Sequence, residues 1–183
     1  DNPASYHRPP TAIDDMSVRQ RRFPGLKFSH LEFDSGYEPH PDDPAGQRWM
    51  DYRENRRVHA WMLRHEGPER PWLVCPHGLG TGSPWIDFGA FGASVLHHGF
   101  GLNLLFPVLP LHGPRRPPNS ERGAMISFEL VETLHGVTQA VWDVRRLIRW
   151  AREQGATRIG LYGKSMGAYT AALVGGLEDV SLI

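Results

Sequence analysis

The sequence predicts an α/β fold, a mostly parallel sheet flanked by helices, and three observations predict it. First, the apolar run Ile159 to Tyr162 leads directly into Gly163-Lys164-Ser165-Met166-Gly167, after which small and apolar residues continue at helical density until Gly175 and Gly176. That order reads as strand, sharp turn, helix. Second, Trp72-Leu73-Val74-Cys75-Pro76 is a short continuous apolar run that ends in a Gly-rich turn, His77-Gly78-Leu79-Gly80-Thr81-Gly82. Unbroken apolar runs of this length suit strands buried on both faces. Third, the segments between such runs carry helical periodicity and short connections, the pattern of strands alternating with covering helices.

Length and composition set bounds on this reading. The 183 residues suffice for one domain with a proper core. Twenty basic residues balance twenty acidic ones, which points away from nucleic acid or an anionic membrane surface as partner. No apolar run approaches the roughly 20 residues that span a bilayer. Cys75 is the only cysteine, so an internal disulfide, a redox pair and a cysteine-based zinc site are all excluded, and a reducing cytoplasm is the expected location. The opening residues, Asp-Asn-Pro-Ala-Ser-Tyr-His-Arg-Pro-Pro, lack the basic and apolar regions of a signal peptide, although the absence of an initiator Met leaves a removed leader open.

Taken in order, residues 1–25 are rich in Pro, Arg and Asp without periodicity and are expected to form a surface or disordered arm with no chemistry. Leu26 to Phe33 alternates with one slip, which predicts a strand with a bulge. Residues 34–55 are polar and Pro-rich and read as loop. Arg57 to His65 alternates again, a second strand, and Glu66 to Pro71 is a turn. After the apolar strand and the Gly-rich turn, Pro84 to His98 reads as a helix closed by Gly99. Gly101 to Val108 is the next strand. The loop from Pro107 to Pro118 is dense in Pro and Arg and is expected to stay out of the core, on a pocket rim. Glu129 to Arg152 is the strongest helix: Leu130, Leu134, Val137, Val141, Val144, Ile148 and Ala151 recur at spacings of four and three, with acids at its start and arginines at its end. Val180 to Ile183 begins another apolar run.

The chemistry centres on the G-x-S-x-G pentapeptide. A serine on a strained strand-to-helix turn needs glycine two positions to either side, because side chains there would collide. The helix N-terminus beneath such a serine favours developing negative charge. The plain alternative is a Gly-rich turn with a surface serine. Gly163-Lys164-Ser165 also matches the end of a phosphate-binding P-loop, but that loop needs a glycine at position 158, where this chain has Arg, and flexible residues at 159–162, where it has a strand.

With His77-Gly78-Leu79-Gly80 after one strand and Gly163-Lys164-Ser165-Met166-Gly167 after a later one, residues 26–183 resemble the α/β-hydrolase family. The Pro110-Leu111-His112-Gly113 loop looks like the dienelactone-hydrolase and prolyl-oligopeptidase-like esterase branch. The resemblance implies that Ser165 is the nucleophile and that the backbone N–H groups of Leu79 and Met166 form the oxyanion hole. His77, Gly78 and His112 become candidate pocket residues: His77 more as a turn-stabilising group than a base, His112 as a base or pocket residue that could reach in from its loop. Lys164 is expected to face solvent. His97, His98 and His135 are expected on solvated helix surfaces or ends.

One departure from the family pattern bears on activity. The family's acid and histidine follow the serine, whereas after Ser165 this sequence offers Glu178 and Asp179 and no histidine. A serine hydroxyl without an adjacent base is a weak nucleophile. The chain is therefore expected to be the N-terminal part of a longer hydrolase, truncated after the helix that follows the serine, with residues 1–25 as arm and 26–183 as the partial domain. A C-terminal companion polypeptide or a homo-oligomer would cover its exposed sheet edge. The implied activity is cleavage of a carboxylic ester or thioester of a small or medium acyl group, with amide cleavage not separable from it; the alternative is a non-catalytic interaction module of the same fold. No cofactor is expected. No metal is expected either, since no pair of histidines shows helical ligand spacing with an acid.

Overall fold

The computed structural model describes residues 3–23, 26–118, 125 and 129–181. Its strands and helices are, in chain order, β1 (Ser17–Phe23), β2 (Leu26–Asp34), α1 (Gly46–Met50), β3 (Arg57–Leu63), β4 (Trp72–Val74), α2 (Pro84–Phe91), β5 (Asn103–Pro107), α3 (Leu130–Glu153), β6 (Ile159–Leu161) and α4 (Met166–Gly175). They form one mixed sheet in the order β1-β2-β3-β5-β4-β6. β1, β2, β3 and β5 are joined by antiparallel pairings, while β4 pairs in parallel with both β5 and β6.

Side-chain alternation along the strands sends one set of residues to each face. Trp72, Val74, Leu105, Ile159 and Leu161 pack with Val141, Val144, Leu147 and Ile148 of α3 and with Met166, Ala171 and Val174 of α4. Leu73, Leu104, Phe106, Trp61 and Phe28 pack on the opposite face with Phe88 and Phe91 of α2. The sheet is thus covered on both sides, as its apolar strands require.

Several local expectations change, and residues 34–55, read as loop, include the helix α1. The slip in β2 is not a bulge: its register against β3 runs unbroken from Ser29 opposite Met62 to Asp34 opposite Arg57. The apolar residues change parity because Phe28 serves one core and Leu31 and Phe33 the other. The predicted N-terminal arm is shorter than residues 1–25, because Ser17–Phe23 form β1 at the edge of the sheet. Its exposed Arg19, Arg21 and Arg22 hide the strand from pattern reading, and charge of this kind guards sheet edges against unwanted pairing. Residues before it are held down rather than loose: the guanidinium groups of Arg145, Arg146 and Arg149 on α3 donate to the carbonyls of Arg8, Ala12 and Pro10 at 2.7, 2.5 and 3.0 Å.

Between Pro107 and Pro118, Val108, Leu109, Leu111, His112 and Arg115 are all buried, so this loop is core and not rim. The helix predicted over residues 84–98 stops at Phe91, where Gly92 turns left-handed at φ 62°, and a separate π-helical turn follows over Val95–Gly99. His135 and His97, expected in solvent, are buried; His98 is exposed. Of the final apolar run, residues 182 and 183 lie outside the described residues, and the Ser181 N–H bonds the Ile159 carbonyl beside β6 at 2.7 Å.

Candidate active site

β4 and β6 deliver the two Gly-rich turns to the same end of the sheet. Beyond the paired residues the two chains stay fastened, with the Tyr162 N–H on the Val74 carbonyl at 2.9 Å and the Lys164 N–H on the Pro76 carbonyl at 3.2 Å. Ser165 follows as the residue that caps α4, solvent-exposed, with φ 53° and ψ −120°. This is a backbone region that a residue with a Cβ occupies only under strain. The glycines on either side explain how the turn closes. A Cβ at Gly163 would stand 2.2 Å from the Gly167 carbonyl oxygen, and one at Gly167 would stand 2.0 Å from that of Pro76. The spacing Gly-x-Ser-x-Gly is the sequence record of these two contacts.

The turn after β4 lies against this elbow. A Cβ at Gly78 would be 3.4 Å from the Lys164 carbonyl oxygen and 3.5 Å from the Ser165 Cβ, so the two turns face each other with room for no more than a methyl group between them. The Gly78 carbonyl is pinned on the far side by two donors, His77 Nδ1–H at 2.7 Å and the Thr81 hydroxyl at 3.0 Å. In a trans peptide the next N–H points opposite to the carbonyl. Fixing the Gly78 carbonyl therefore aims the Leu79 N–H the other way. Among the described residues, neither the Leu79 N–H nor the Met166 N–H has a hydrogen-bond partner within the chain.

His77 is fully engaged. Its Nε2 accepts the Leu109 N–H at 3.0 Å, which leaves the proton on Nδ1 for the Gly78 carbonyl. Burial first, then the neighbouring His112 and Arg115, pushes its pKa down to about 3, so the ring is neutral. A ring with both nitrogens bonded to backbone cannot also take a proton from Ser165. His112 sits in a second layer, 2 % exposed, with Nδ1–H on the Pro110 carbonyl at 2.8 Å and its ring 5.0 Å from that of His77. Burial lowers its pKa too. Lys164 is turned to α2, where its ammonium donates to the Ala90 carbonyl and lies 5.4 Å over the Phe91 ring. Glu178 is bound by Arg145 and Arg152 at 2.8 and 2.9 Å, which ties it to α3.

Pattern reading missed the supports of this site. The guanidinium of Arg115, completely buried, pairs with Asp143 of α3 at 2.9 Å and donates to the Val108 carbonyl, also at 2.9 Å. The other side of that same peptide unit is the Leu109 N–H that His77 accepts. A continuous line of contacts thus runs from α3 through Arg115, one peptide and His77 to the peptide carrying the Leu79 N–H. Asp87 of α2 steadies the turn from its other end by accepting the Gly82 N–H at 3.3 Å. Burial raises its carboxyl pKa to about 6. In the sequence Asp87 and Asp143 stand out only as charges among apolar neighbours and Arg115 only as one of two arginines in a Pro-rich loop, weak cues beside the glycine spacing.

Sheet order, covering helices and the strained serine turn define the α/β-hydrolase fold. Solved structures share it: a Bacteroides fragilis protein assigned as an acetyl xylan esterase aligns over 95 % of this chain and 47 % of its own, at TM-score 0.63 and 14 % identity. A Sulfolobus solfataricus protein assigned as a lipase covers 92 % of this chain and 49 % of its own, at 0.60 and 14 %. A cold-adapted esterase from an Arctic intertidal metagenomic library covers 87 % and 60 %, at 0.54 and 18 %. In sequence, the chain is 41 % identical over 180 residues to two curated Mycobacterium tuberculosis proteins, the uncharacterized proteins Rv2627c and MT2702. The match takes in 98 % of this chain and 43 % of each relative, so the chain spans less than half of their length. No family model matches it. Among the described residues no helix is long and apolar enough to cross a membrane.

Proposed function

We propose that this chain carries the nucleophile and oxyanion hole of a serine hydrolase that cleaves a carboxylic ester or thioester. The observation that carries the reading is Ser165, exposed at φ 53° and ψ −120° beside two unpartnered backbone N–H groups. In the proposed reaction the Ser165 hydroxyl oxygen bonds to the acyl carbon as its proton leaves to a base. The Leu79 and Met166 N–H groups receive the oxyanion, each worth about 3 kcal/mol of transition-state stabilisation. Collapse expels the protonated alcohol or thiol, and water then hydrolyses the acyl-enzyme. Leu79, 48 % exposed on the turn that faces Ser165, would be the first apolar surface the acyl chain meets.

The base and its acid belong, in this proposal, to sequence beyond residue 183. His77 is occupied, Glu178 is paired with arginines, and the curated relatives are more than twice as long. A companion polypeptide or a second copy would supply the same groups in another arrangement. A reducing, cytoplasmic setting belongs to the same proposal, since Cys75 is a free, buried thiol.

The test is fluorophosphonate labelling read by intact mass, on residues 1–183 alone, on the full-length polypeptide and on its Ser165→Ala form. One adduct on the full-length protein that Ser165→Ala abolishes is the expected result. A folded full-length protein that stays unlabelled would remove the enzyme reading and leave a non-catalytic interaction module.

A further inference from the structure

Away from the elbow, β2 and β3 bring together three side chains whose chemistry the proposed hydrolase does not use. His30 and Glu32 alternate onto one face of β2, and the register sets His59 of β3 directly opposite Glu32. His30 Nε2 and His59 Nδ1 face each other at 2.8 Å, and one ligand atom from each of His30, Glu32 and His59 lies within 4.8 Å of the others. All three sit on paired strands and are half-buried, so each keeps part of its surface in solvent. The His30 ring is also braced by Trp61, with centroids 4.8 Å apart.

We propose that His30, Glu32 and His59 form a binding site for one divalent transition cation of the zinc and cobalt type. Two imidazole nitrogens and one carboxylate oxygen are a donor set suited to these borderline ions, whereas calcium and magnesium demand shells built of oxygen. Three protein ligands leave a fourth position for water. Without the ion, the gap between the two nitrogens holds one ring proton. When the ion enters, that proton moves to the other nitrogen of its own ring, both lone pairs then face the metal, and neither ring loses a proton overall. Tetrahedral coordination with bonds of roughly 2.0–2.1 Å sets the nitrogens about 3.3 Å apart, so the rings part by about half an ångström. Arg57 touches the Glu32 carboxylate at 3.5 Å but is shared with Asp15 at 2.7 Å, while Arg19, opposite His30 in the β1 register, and Arg21 add positive charge that the ion enters against. The expectation of no metal rested on helical ligand spacing; this set is spaced for adjacent antiparallel strands, a pattern that criterion does not cover.

The proposal is independent of Ser165 chemistry and is tested by binding alone. Metal-free protein is titrated with CoCl2, followed by visible d–d absorption, and then with ZnCl2 to displace the cobalt. One cobalt per chain with four-coordinate intensity, displaced by zinc, is expected. His30→Gln and His59→Gln should each weaken binding on the order of 100-fold or more, at least the loss seen when a ligand's outer support is removed. His98→Ala, a change at an exposed histidine elsewhere, should leave binding unaltered. Far-UV circular dichroism checks each variant; if a histidine variant loses its fold, the near-isosteric Glu32→Gln decides, and unweakened binding there overturns the proposal. Absence of cobalt absorption at millimolar CoCl2, or binding that survives both histidine changes, overturns it as well.

Discussion

The α-carbon of Gly167 rests on the carbonyl oxygen of Pro76, so close that a Cβ would stand 2.0 Å from it. This contact locks the first turn of α4 to the chain leaving β4. It sets how far the Ser165 turn lies from the turn that carries Gly78 and Leu79.

Gly167→Ala therefore sets two effects against each other. Alanine favours a helix by about 1 kcal/mol over glycine. The clash is with backbone on one side and helix on the other, and overpacking of that kind costs about 3 kcal/mol. A net loss of about 2 kcal/mol in urea unfolding is expected, together with loss of fluorophosphonate labelling in the full-length protein. An alanine variant as stable as the parent would show that the two turns are not locked together.

Ser165 occupies a backbone conformation that only glycine adopts without strain, and such strain costs about 1–3 kcal/mol. Ser165→Gly should relieve it, gaining about 1 kcal/mol after the extra freedom of glycine in the unfolded chain is counted. Ser165→Ala keeps a Cβ and the strain, and its stability should stay near that of the parent. Equal urea midpoints for the Gly and Ala variants would rule out stored strain at this residue.

The pair Arg115–Asp143 is buried on both sides, at 0 and 2 % exposure. Removing one partner leaves the other charge uncompensated in the interior, which costs about 3–5 kcal/mol. Arg115→Met is expected to fall in that range. Adding Asp143→Leu should recover much of the loss, because an apolar pair of similar size has no charge to desolvate. The double variant should still label more slowly than the parent, since the Val108 carbonyl loses its donor. Additive losses in the double-variant cycle would argue against the pair acting as a unit.

Asp87 supplies a pH dependence whose sign follows from burial. Its folded pKa of about 6 lies above the ordinary 3.8, so between those values the folded state holds more proton than the unfolded one. Stability from this group is present at low pH and declines as pH rises through that window, by at most about 3 kcal/mol for a gap of roughly two units. Asp87→Asn removes the titration. Relative to the parent, the variant should gain stability between pH 4 and pH 7; urea midpoints whose difference does not change with pH would contradict the assignment.

Much of the fold was legible because its signals are local. The apolar runs of β4, β5 and β6 and the Gly-x-Ser-x-Gly turn state their structure within a few residues, since strand burial and steric closeness act at short range. In α3 the apolar stripe predicted the helix, yet Leu130 and Leu134 are 79 and 44 % exposed, because only the tertiary neighbours decide where the stripe meets a core. β1 was illegible for the opposite reason: its arginines face solvent, and only pairing with β2 makes it a strand.

The elbow is written in the chain alone, because two glycines at fixed distance from a serine leave one way for that turn to close. What stands around it came from the packing of the fold. That packing gave both nitrogens of His77 to backbone groups 32 and 1 residues away, drew Arg115 inward to meet Asp143, and set His30 against His59 across two strands. Each of these depends on groups distant in the chain finding a partner once water is removed. A buried polar side chain must be satisfied, but which partner satisfies it is fixed by the packing of sheet and helices and not by its neighbours in sequence.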